Sequence, residues 1–307
     1  MLWNVRTLYQ AGKVRQLARE MDNYNIDICG ISECRWTKSG KETLTSGKSI
    51  VYSGCQDEHI KGVAIVMSKT AQKCLKEWEP ISEKVIRATF NSRHMKLTIL
   101  QCYAPTNEAT DEEKDCFYEQ LQAVKERIPK HDICIIMGDF NAKVGQDNIN
   151  DERTMGRYGM GQRNENGQKL VDFCSENGMV ITGTLFQHKN IHKSTWVSPD
   201  MNTCNQIDHV LVNGKYRRSI LDTRVKRGAD IGSDHLLVLS KIKLKMKRTD
   251  RKRQINQRRY DVQKLSSRQH IEKFKLELRS RFAVLEHQEK QEKDLETIWG
   301  QFKTVFT

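Results

Sequence analysis

The chain alternates between short apolar runs and segments in which apolar residues recur every three to four positions. The short runs predict strands, and they lie at residues 26–33, 49–53, 62–67, 85–90, 96–103, 132–139, 180–181, 207–212 and 236–239. The periodic segments predict helices, and they lie at residues 12–24, 111–128 and 165–177. Compact loops join several strands, which favours antiparallel pairing beside parallel units. The pattern therefore predicts an α/β fold.

Two of these units echo each other. In each, a predicted helix leads into Asp-Ile-Cys, at residues 27–29 and 132–134, and then into an apolar strand that ends in an acid, Glu33 or Asp139. The echo suggests two similar layers whose strand ends meet at one site.

The second echo ends in Gly138-Asp139-Phe140-Asn141. Residues two apart in an extended chain point to the same side, so we expect Asp139 and Asn141 to face one pocket. Open α/β sheets bind ligands at the carboxyl ends of their strands. The alternative is a plain turn, because Asp and Asn readily bond to their own backbone.

Polar residues stand at the ends of other predicted strands as well. With the pair above they form the candidate site: Asn4, Glu33, Tyr103, Asp139, Asn141, Asp208, Asp234 and His235. Four carboxylates in one pocket repel each other unless a cation neutralises them. Oxygen ligands select Mg²⁺ or Mn²⁺ over zinc. His235 can exchange a proton near neutral pH, and Asp208 is the natural acid to orient it.

Each of these residues also has a plainer interpretation. Tyr103 precedes Ala104-Pro105 and could be an aromatic at the edge of the core. Ser233-Asp234-His235 could be an ordinary polar turn.

Charge divides the chain into a balanced front and a basic back. The net charge is +13, and residues 241–307 alone carry 19 Lys and Arg against 9 Asp and Glu. We expect one domain over residues 1–245, a basic linker at 246–260, and a helical extension at 261–307. The basic tail is either a footprint for nucleic acid or a solvated helical face. Its apolar faces suggest a protein partner or the front edge of a further domain.

Nine cysteines are scattered without a C-x-x-C pair, which makes a disulfide framework or a zinc site improbable and indicates a reducing compartment. No apolar run approaches the roughly 18 residues of a membrane span, and the first residues lack the apolar core of a signal peptide. We expect the nucleus, or else the cytoplasm, and no membrane association.

Taken in order, several motifs resemble those of the endonuclease/exonuclease/phosphatase superfamily, to which DNase I and the apurinic/apyrimidinic endonucleases belong. They are Trp3-Asn4, Ile31-Ser32-Glu33, Tyr103-Ala104-Pro105, Gly138-Asp139-Phe140-Asn141, Gln206-Ile207-Asp208-His209 and Ser233-Asp234-His235. In finer detail the chain is similar to the endonuclease domain of RTE-clade non-LTR retrotransposons. The tail resembles the segment that precedes the reverse transcriptase there.

The resemblance implies a four-layer α/β sandwich, with two packed mixed β-sheets flanked by helices. It also implies hydrolysis of a phosphodiester that leaves a 3′-hydroxyl and a 5′-phosphate. The implied metal ligands are Glu33, Asp139, Asn141 and Asp234, with Asn4 in support. Asp139 and Asn141 would position the attacking water. Asp208 would orient His235, and Tyr103 would donate to the developing charge.

We therefore expect a Mg²⁺-dependent endonuclease that nicks duplex DNA. Substrate contacts are expected from Asn4, Arg35, Asn107, Arg163, Thr195 and Trp196. The chain departs from the family pattern at Arg6, where repair enzymes place a metal-binding acid, and at His209, where a tyrosine is common. A strand is also expected to end at residues 3–6, only a few residues from the start of the sequence. Its shortness bears most on Asn4.

Two other functions stay open at this point. One is a phosphatase or RNA 3′-exonuclease with the same chemistry. The other is a non-catalytic chromatin module that acts through residues 246–307.

Overall fold

The computed structural model describes residues 1–93, 95–244 and 267–286. Contacts divide the chain into two units, Met1–Thr249 and Asp250–Thr307. The helices are α1 Lys13–Asn23, α2 Lys69–Gln72, α3 Asp111–Glu126, α4 Glu165–Glu176 and α5 Arg268–Glu286. The strands are β1 Leu2–Asn4, β2 Ile28–Ser32, β3 Ser39–Thr43, β4 Ser49–Ser53, β5 Val63–Met67, β6 Leu75–Ser82, β7 Val85–Asn91, β8 Lys96–Tyr103, β9 Ile133–Asp139, β10 Met179–Ile181, β11 Trp196–Val197, β12 Cys204–Asn205, β13 Asp208–Asn213, β14 Ile220–Lys226 and β15 Leu237–Ile242.

The first unit is built on two mixed sheets. One has the strand order β14-β15-β1-β2-β5-β4-β3, and β1 runs parallel to β2 but antiparallel to β15. The other has the order β10-β13-β9-β8-β7-β6, and β8 runs parallel to β9. Strands β11 and β12 form a separate small hairpin.

Three apolar clusters show how the layers stack. The central cluster joins the inner faces of both sheets, with residues such as Ile65, Ile99 and Ile135. A second cluster packs the outer face of the six-stranded sheet against α3 and α4, and a third packs the seven-stranded sheet against α1. The order helix, sheet, sheet, helix confirms the predicted four-layer α/β sandwich.

Local sequence explains why the elements near the site form where they do. The Thr110 hydroxyl accepts the backbone N–H of Glu113 and caps α3, whose first turn is acidic. The Asn164 side chain caps α4 in the same way by accepting the N–H of Gly167. Strand β9 is buried at every position, as expected for a strand covered on both faces.

Strands β3, β6 and β14 were not predicted, and each has a physical reason. β3 reads Ser-Gly-Lys-Glu-Thr and is almost wholly exposed at a sheet edge, so it carries no apolar pattern. β6 is also an edge strand, paired with β7 on one side only. It contains Pro80, which lacks a backbone N–H and is tolerated in an edge strand because the outer side of such a strand forms no ladder hydrogen bonds. β14 alternates buried and exposed residues, but charged side chains obscure the alternation.

The described part of the second unit is α5, which lies within the expected helical extension at 261–307. Phe274 and Leu276 are exposed on it. The predicted linker at 246–260 and the rest of the expected extension lie outside the described residues. Among the described helices, none combines the length and apolar character needed to cross a bilayer.

Candidate active site

Sheet register brings the predicted acids together. In the antiparallel pair of β9 and β13, Asp139 lies directly opposite Asp208. In the parallel pair of β8 and β9, Tyr103 lies beside Asp139. Asn4 ends β1 of the other sheet, and Glu33 directly follows β2. Strand ends from both sheets therefore meet at one place.

Asn4 links the carboxylates across the two sheets. Its side-chain amide nitrogen lies 2.9 Å from Oε1 of Glu33 and 2.9 Å from Oδ2 of Asp139, and it donates to both. Asn4 is buried, and its own Oδ1 accepts the backbone N–H of Arg6. The polar side-chain atoms of Asn4 are thus occupied within the protein, in the supporting position expected of it, and its expected substrate contact stays a prediction.

His235 lies between two buried acids. Its Nδ1 is 3.0 Å from Oδ2 of Asp208, and its Nε2 is 3.7 Å from Oδ2 of Asp139. Burial lowers the pKa of His235, but the charges of Asp208 and Asp139 outweigh this and raise it to about 9. The imidazolium is therefore the favoured form at neutral pH when these acids are ionised and no cation is bound.

The other titratable groups respond to the same crowding. Burial, followed by the charge of Asp208, raises the pKa of Asp139, with His235 and the Asn4 hydrogen bond acting in opposition. Burial, followed by the charges of Glu33 and Asp139, raises the pKa of Tyr103. Tyr103 therefore keeps its phenolic proton and can act as a hydrogen-bond donor.

The oxygen donors fit a hard divalent cation. Ligand atoms of Asp139, Asp208 and His235 lie within 4.8 Å of one another. Oδ1 of Asp208 and Oδ1 of Asp234 are buried and have no hydrogen-bond partner in the part of the chain that the structure describes. Buried acceptors are rarely left unsatisfied, so these oxygens are free to bind a cation or water. Carboxylate oxygens suit Mg²⁺ or Mn²⁺.

Glu33 and Asp234, both predicted metal ligands, are engaged with cationic side chains here. Oε2 of Glu33 lies 3.0 Å from the Arg35 guanidinium. Oδ2 of Asp234 lies 3.5 Å from the Arg6 guanidinium and accepts the Trp196 indole N–H at 3.2 Å. Arg35 and Trp196, two of the predicted substrate contacts, thus lie directly at the acids.

Asn141 reaches the site by a different geometry from the one predicted. Strand β9 ends at Asp139, and Asn141 has φ 50°, so the residue is left-handed and not extended. Its backbone N–H donates to Oδ1 of Asp139, and its side-chain amide donates to the carbonyl of Ala104. Asp139 and Asn141 therefore do not lie on one side of an extended strand as predicted, but they remain in contact through this backbone hydrogen bond.

Thr195 and Arg163, two of the expected substrate contacts, make their hydrogen bonds within the protein. Thr195 is buried, and its hydroxyl accepts the backbone N–H groups of Ile207 and Asp208. Its carbonyl accepts the N–H of Leu236, so it fixes the chain on both sides of the Asp208–His235 pair.

The Arg163 guanidinium forms its hydrogen bonds with the loop that contains it. It donates to the carbonyls of Val144 and Asp147 and to the carboxylate of Asp151. Asn107 is exposed, and its side-chain oxygen accepts from Asn164, which caps α4.

Four residues that sequence reasoning left without a role support the site. The Trp3 indole donates to the carbonyl of His235, and the Ser233 hydroxyl donates to the carbonyl of Asn4. Between the sheets, Gln101 donates to the Ser32 hydroxyl, which in turn donates to the carbonyl of Cys102. Gln101 was detectable as a polar residue inside an apolar strand, whereas Trp3, Ser32 and Ser233 stood in the quoted motifs without an assigned role.

Comparisons with known proteins agree with this geometry. The endonuclease/exonuclease/phosphatase family matches residues 1–235. Craniofacial development protein 2 of Tragulus javanicus is 40% identical over 245 residues, which are 80% of this chain and 42% of that protein. The same protein of Bos taurus is also 40% identical over 245 residues, which are 41% of its length. The chain thus spans less than half of these relatives.

Two solved structures share the fold. The endonuclease domain of TRAS1, a telomere-specific non-LTR retrotransposon, has a TM-score of 0.58 at 18% identity, covering 79% of this chain and 97% of that domain. A 3′-5′ exonuclease from Neisseria meningitidis has a TM-score of 0.58 at 19% identity, covering 78% and 98%. With the family match over most of its length and curated relatives at 40% identity, the chain belongs to the endonuclease/exonuclease/phosphatase family.

Proposed function

We propose that the chain is a Mg²⁺- or Mn²⁺-dependent endonuclease that nicks duplex DNA. The observation that carries the proposal is the Asp139–His235–Asp208 cluster, with Asn4 joining Asp139 to Glu33. Phosphodiester hydrolysis needs a base or orienting group for water and compensation of charge on the phosphate. This buried cluster offers both.

Each residue then has a distinct task. Glu33, Asp139 and Asp234 would hold the cation, which would supply Lewis-acid polarisation of the phosphate. Asp208 fixes the tautomer of His235 through Nδ1, which leaves Nε2 directed toward Asp139 and the reacting phosphate. Tyr103 donates a hydrogen bond to a phosphate oxygen as charge develops.

DNA is the proposed substrate because the chain is basic and because the endonuclease domain of TRAS1 has the same fold. A basic protein gains affinity for DNA by releasing counterions from the phosphates. We expect the nucleus as its compartment, with the cytoplasm as the alternative. The helical extension at 261–307 is the proposed site for a protein partner.

A plasmid assay tests this function. The purified chain with Mg²⁺ should convert supercoiled plasmid to the nicked circle, and EDTA should stop the reaction. Asp139→Asn and His235→Ala should each lower the rate by at least about a hundredfold. Asp115→Asn is the matched control, because Asp115 pairs with Lys169 on the surface. Absence of nicking by the wild-type chain, or equal nicking by all variants, would reject the proposal.

Two alternatives are separated by further arms of the same experiment. Faster hydrolysis of poly(A) or of inositol phosphates than of plasmid would favour an RNA exonuclease or a phosphatase. A non-catalytic role is favoured if removal of residues 246–307 abolishes the role of the chain in the cell while Asp139→Asn leaves that role intact.

A further inference from the structure

An exposed rim of mixed aromatic and basic character lies beside Glu33. It comprises the three segments 6–9, 33–38 and 55–61. The backbone N–H of Leu8 donates to the carbonyl of Cys34, and that of Arg35 donates to the carbonyl of Lys61. These bonds hold the three segments together, so the rim has a fixed place next to the proposed metal ligand.

Two aromatic rings are paired on this rim. The ring centroids of Tyr9 and His59 lie 4.1 Å apart with an interplanar angle of 35°. His59 is fixed by a hydrogen bond between its Nδ1 and the carbonyl of Arg35 at 2.8 Å. Tyr9 is nevertheless 65% exposed. A large aromatic side chain held in place but left open to solvent offers π-surface to another planar ring.

Backbone strain is concentrated in the same rim. Nine non-glycine residues in the described part of the chain have positive φ, and five of them belong to the rim: Arg6, Glu33, Arg35, Lys38 and Lys61. A left-handed backbone is unfavourable for a residue with a side chain. Such strain persists where surrounding structure enforces it, and it clusters at ligand clamps.

The charges of the rim indicate how a ligand would be held. Four basic residues, Arg6, Arg35, Lys38 and Lys61, stand against Asp57 and Glu58, with Glu33 belonging to the site itself. Arg6 and Arg35 are partly occupied by Asp234 and Glu33. Lys38 and Lys61 then stand against Asp57 and Glu58, so the rim has no net positive excess. Charge alone does not hold an anionic strand here, and ring stacking must contribute.

We propose that the Tyr9 ring, backed by His59, stacks with its open face on an unpaired base of the DNA strand bound at Glu33, while Lys61 and Lys38 face its phosphates. The identity of the ligand as DNA rests on the proposed function. A base inside a duplex has both faces covered by its neighbours, so only a melted or flipped base can stack on the protein. The site therefore prefers DNA with an unpaired segment beside the cut over fully paired duplex.

Binding by a catalytically silenced chain tests the preference apart from turnover. Full-length Asp139→Asn is titrated into a fluorescein-labelled duplex and into the same duplex with a short central bubble, at one fixed salt concentration. We expect about tenfold tighter binding of the bubble. Tyr9→Leu added to this background removes the preference, whereas Tyr9→Phe retains it because the ring is kept.

Tyr216→Leu is the matched aromatic control. The Tyr216 hydroxyl donates a hydrogen bond to the carbonyl of His131, just before the start of β9, whereas Asp139 ends that strand. Loss of the Tyr216 ring should therefore leave the preference for the bubble unchanged. Equal binding of bubble and duplex by the parent, or a preference that survives Tyr9→Leu, overturns the stacking proposal while DNA binding stands. If no variant binds either DNA and the wild-type chain does not nick plasmid, the proposed function fails together with it.

Discussion

His235 and Asp208 come from different sheets, yet Nδ1 of His235 lies 3.0 Å from Oδ2 of Asp208. Asp208 begins β13 in the six-stranded sheet, and His235 stands two residues before β15 in the seven-stranded sheet. Thr195 bonds to the backbone on both sides of the pair, at Asp208 and Leu236. The pair is therefore held by backbone contacts as well as by its own hydrogen bond.

Asp208→Asn should lower kcat for plasmid nicking by about 10²–10⁴-fold with little change in KM. The carboxamide cannot hold His235 in the correct protonation and orientation, and general acid–base catalysis is typically worth this much. Circular dichroism should show an unchanged fold. A kcat within threefold of the wild type would exclude a role for Asp208 in turnover.

Stability should depend on pH through His235. Its pKa is raised from 6.5 to about 9 in the folded chain, so its contribution is complete below pH 6.5 and is lost as the pH rises through 9. The free energy of unfolding in EDTA should fall by about 3 kcal/mol across this window. His235→Gln should be flatter over the same range, and denaturant titrations at stepped pH measure the difference. Parallel curves for both proteins would contradict the assignment.

A divalent cation should stabilise the folded chain. At a free Mg²⁺ concentration 100 times Kd, the gain is about 2.7 kcal/mol, which thermal unfolding would register as a higher Tm. Glu33→Gln should reduce the gain because it removes a charged ligand, and Asp115→Asn on the surface should not. An unchanged wild-type Tm at high Mg²⁺, with Mn²⁺ also without effect, would argue against a metal at this site.

Gly138→Ala should destabilise the protein by about 3 kcal/mol. A Cβ at Gly138 would lie 2.2 Å from the carbonyl oxygen of Cys102, so β8 and β9 would have to separate next to Asp139. Gly161→Ala is the control, because Gly161 has open space around it and only its φ of 73° opposes a side chain. Its expected cost is about 1 kcal/mol, and chemical denaturation compares the two. Equal costs would show that the close approach at Gly138 is relieved cheaply.

Sequence patterns predicted the layers and most of the site, but not its details. Strand ends carrying Glu33, Asp139 and Asp208 were recognisable because each follows or begins an apolar run. The register that sets Asp139 opposite Asp208 depends on pairing between distant strands, which local patterns do not encode. The left-handed Asn141 and the buried Thr195 were misread for the same reason, since tertiary contacts determine both.

Because the site is divided between two sheets, the central apolar cluster sets the distance between its two halves. Asn4 and His235 stand on one side of it and Asp139 and Asp208 on the other, so its thickness fixes how far apart they are. Removal of a methyl group from a residue such as Ile135 would let the two sheets pack closer together. Turnover would then respond to changes in a layer that never touches the phosphate.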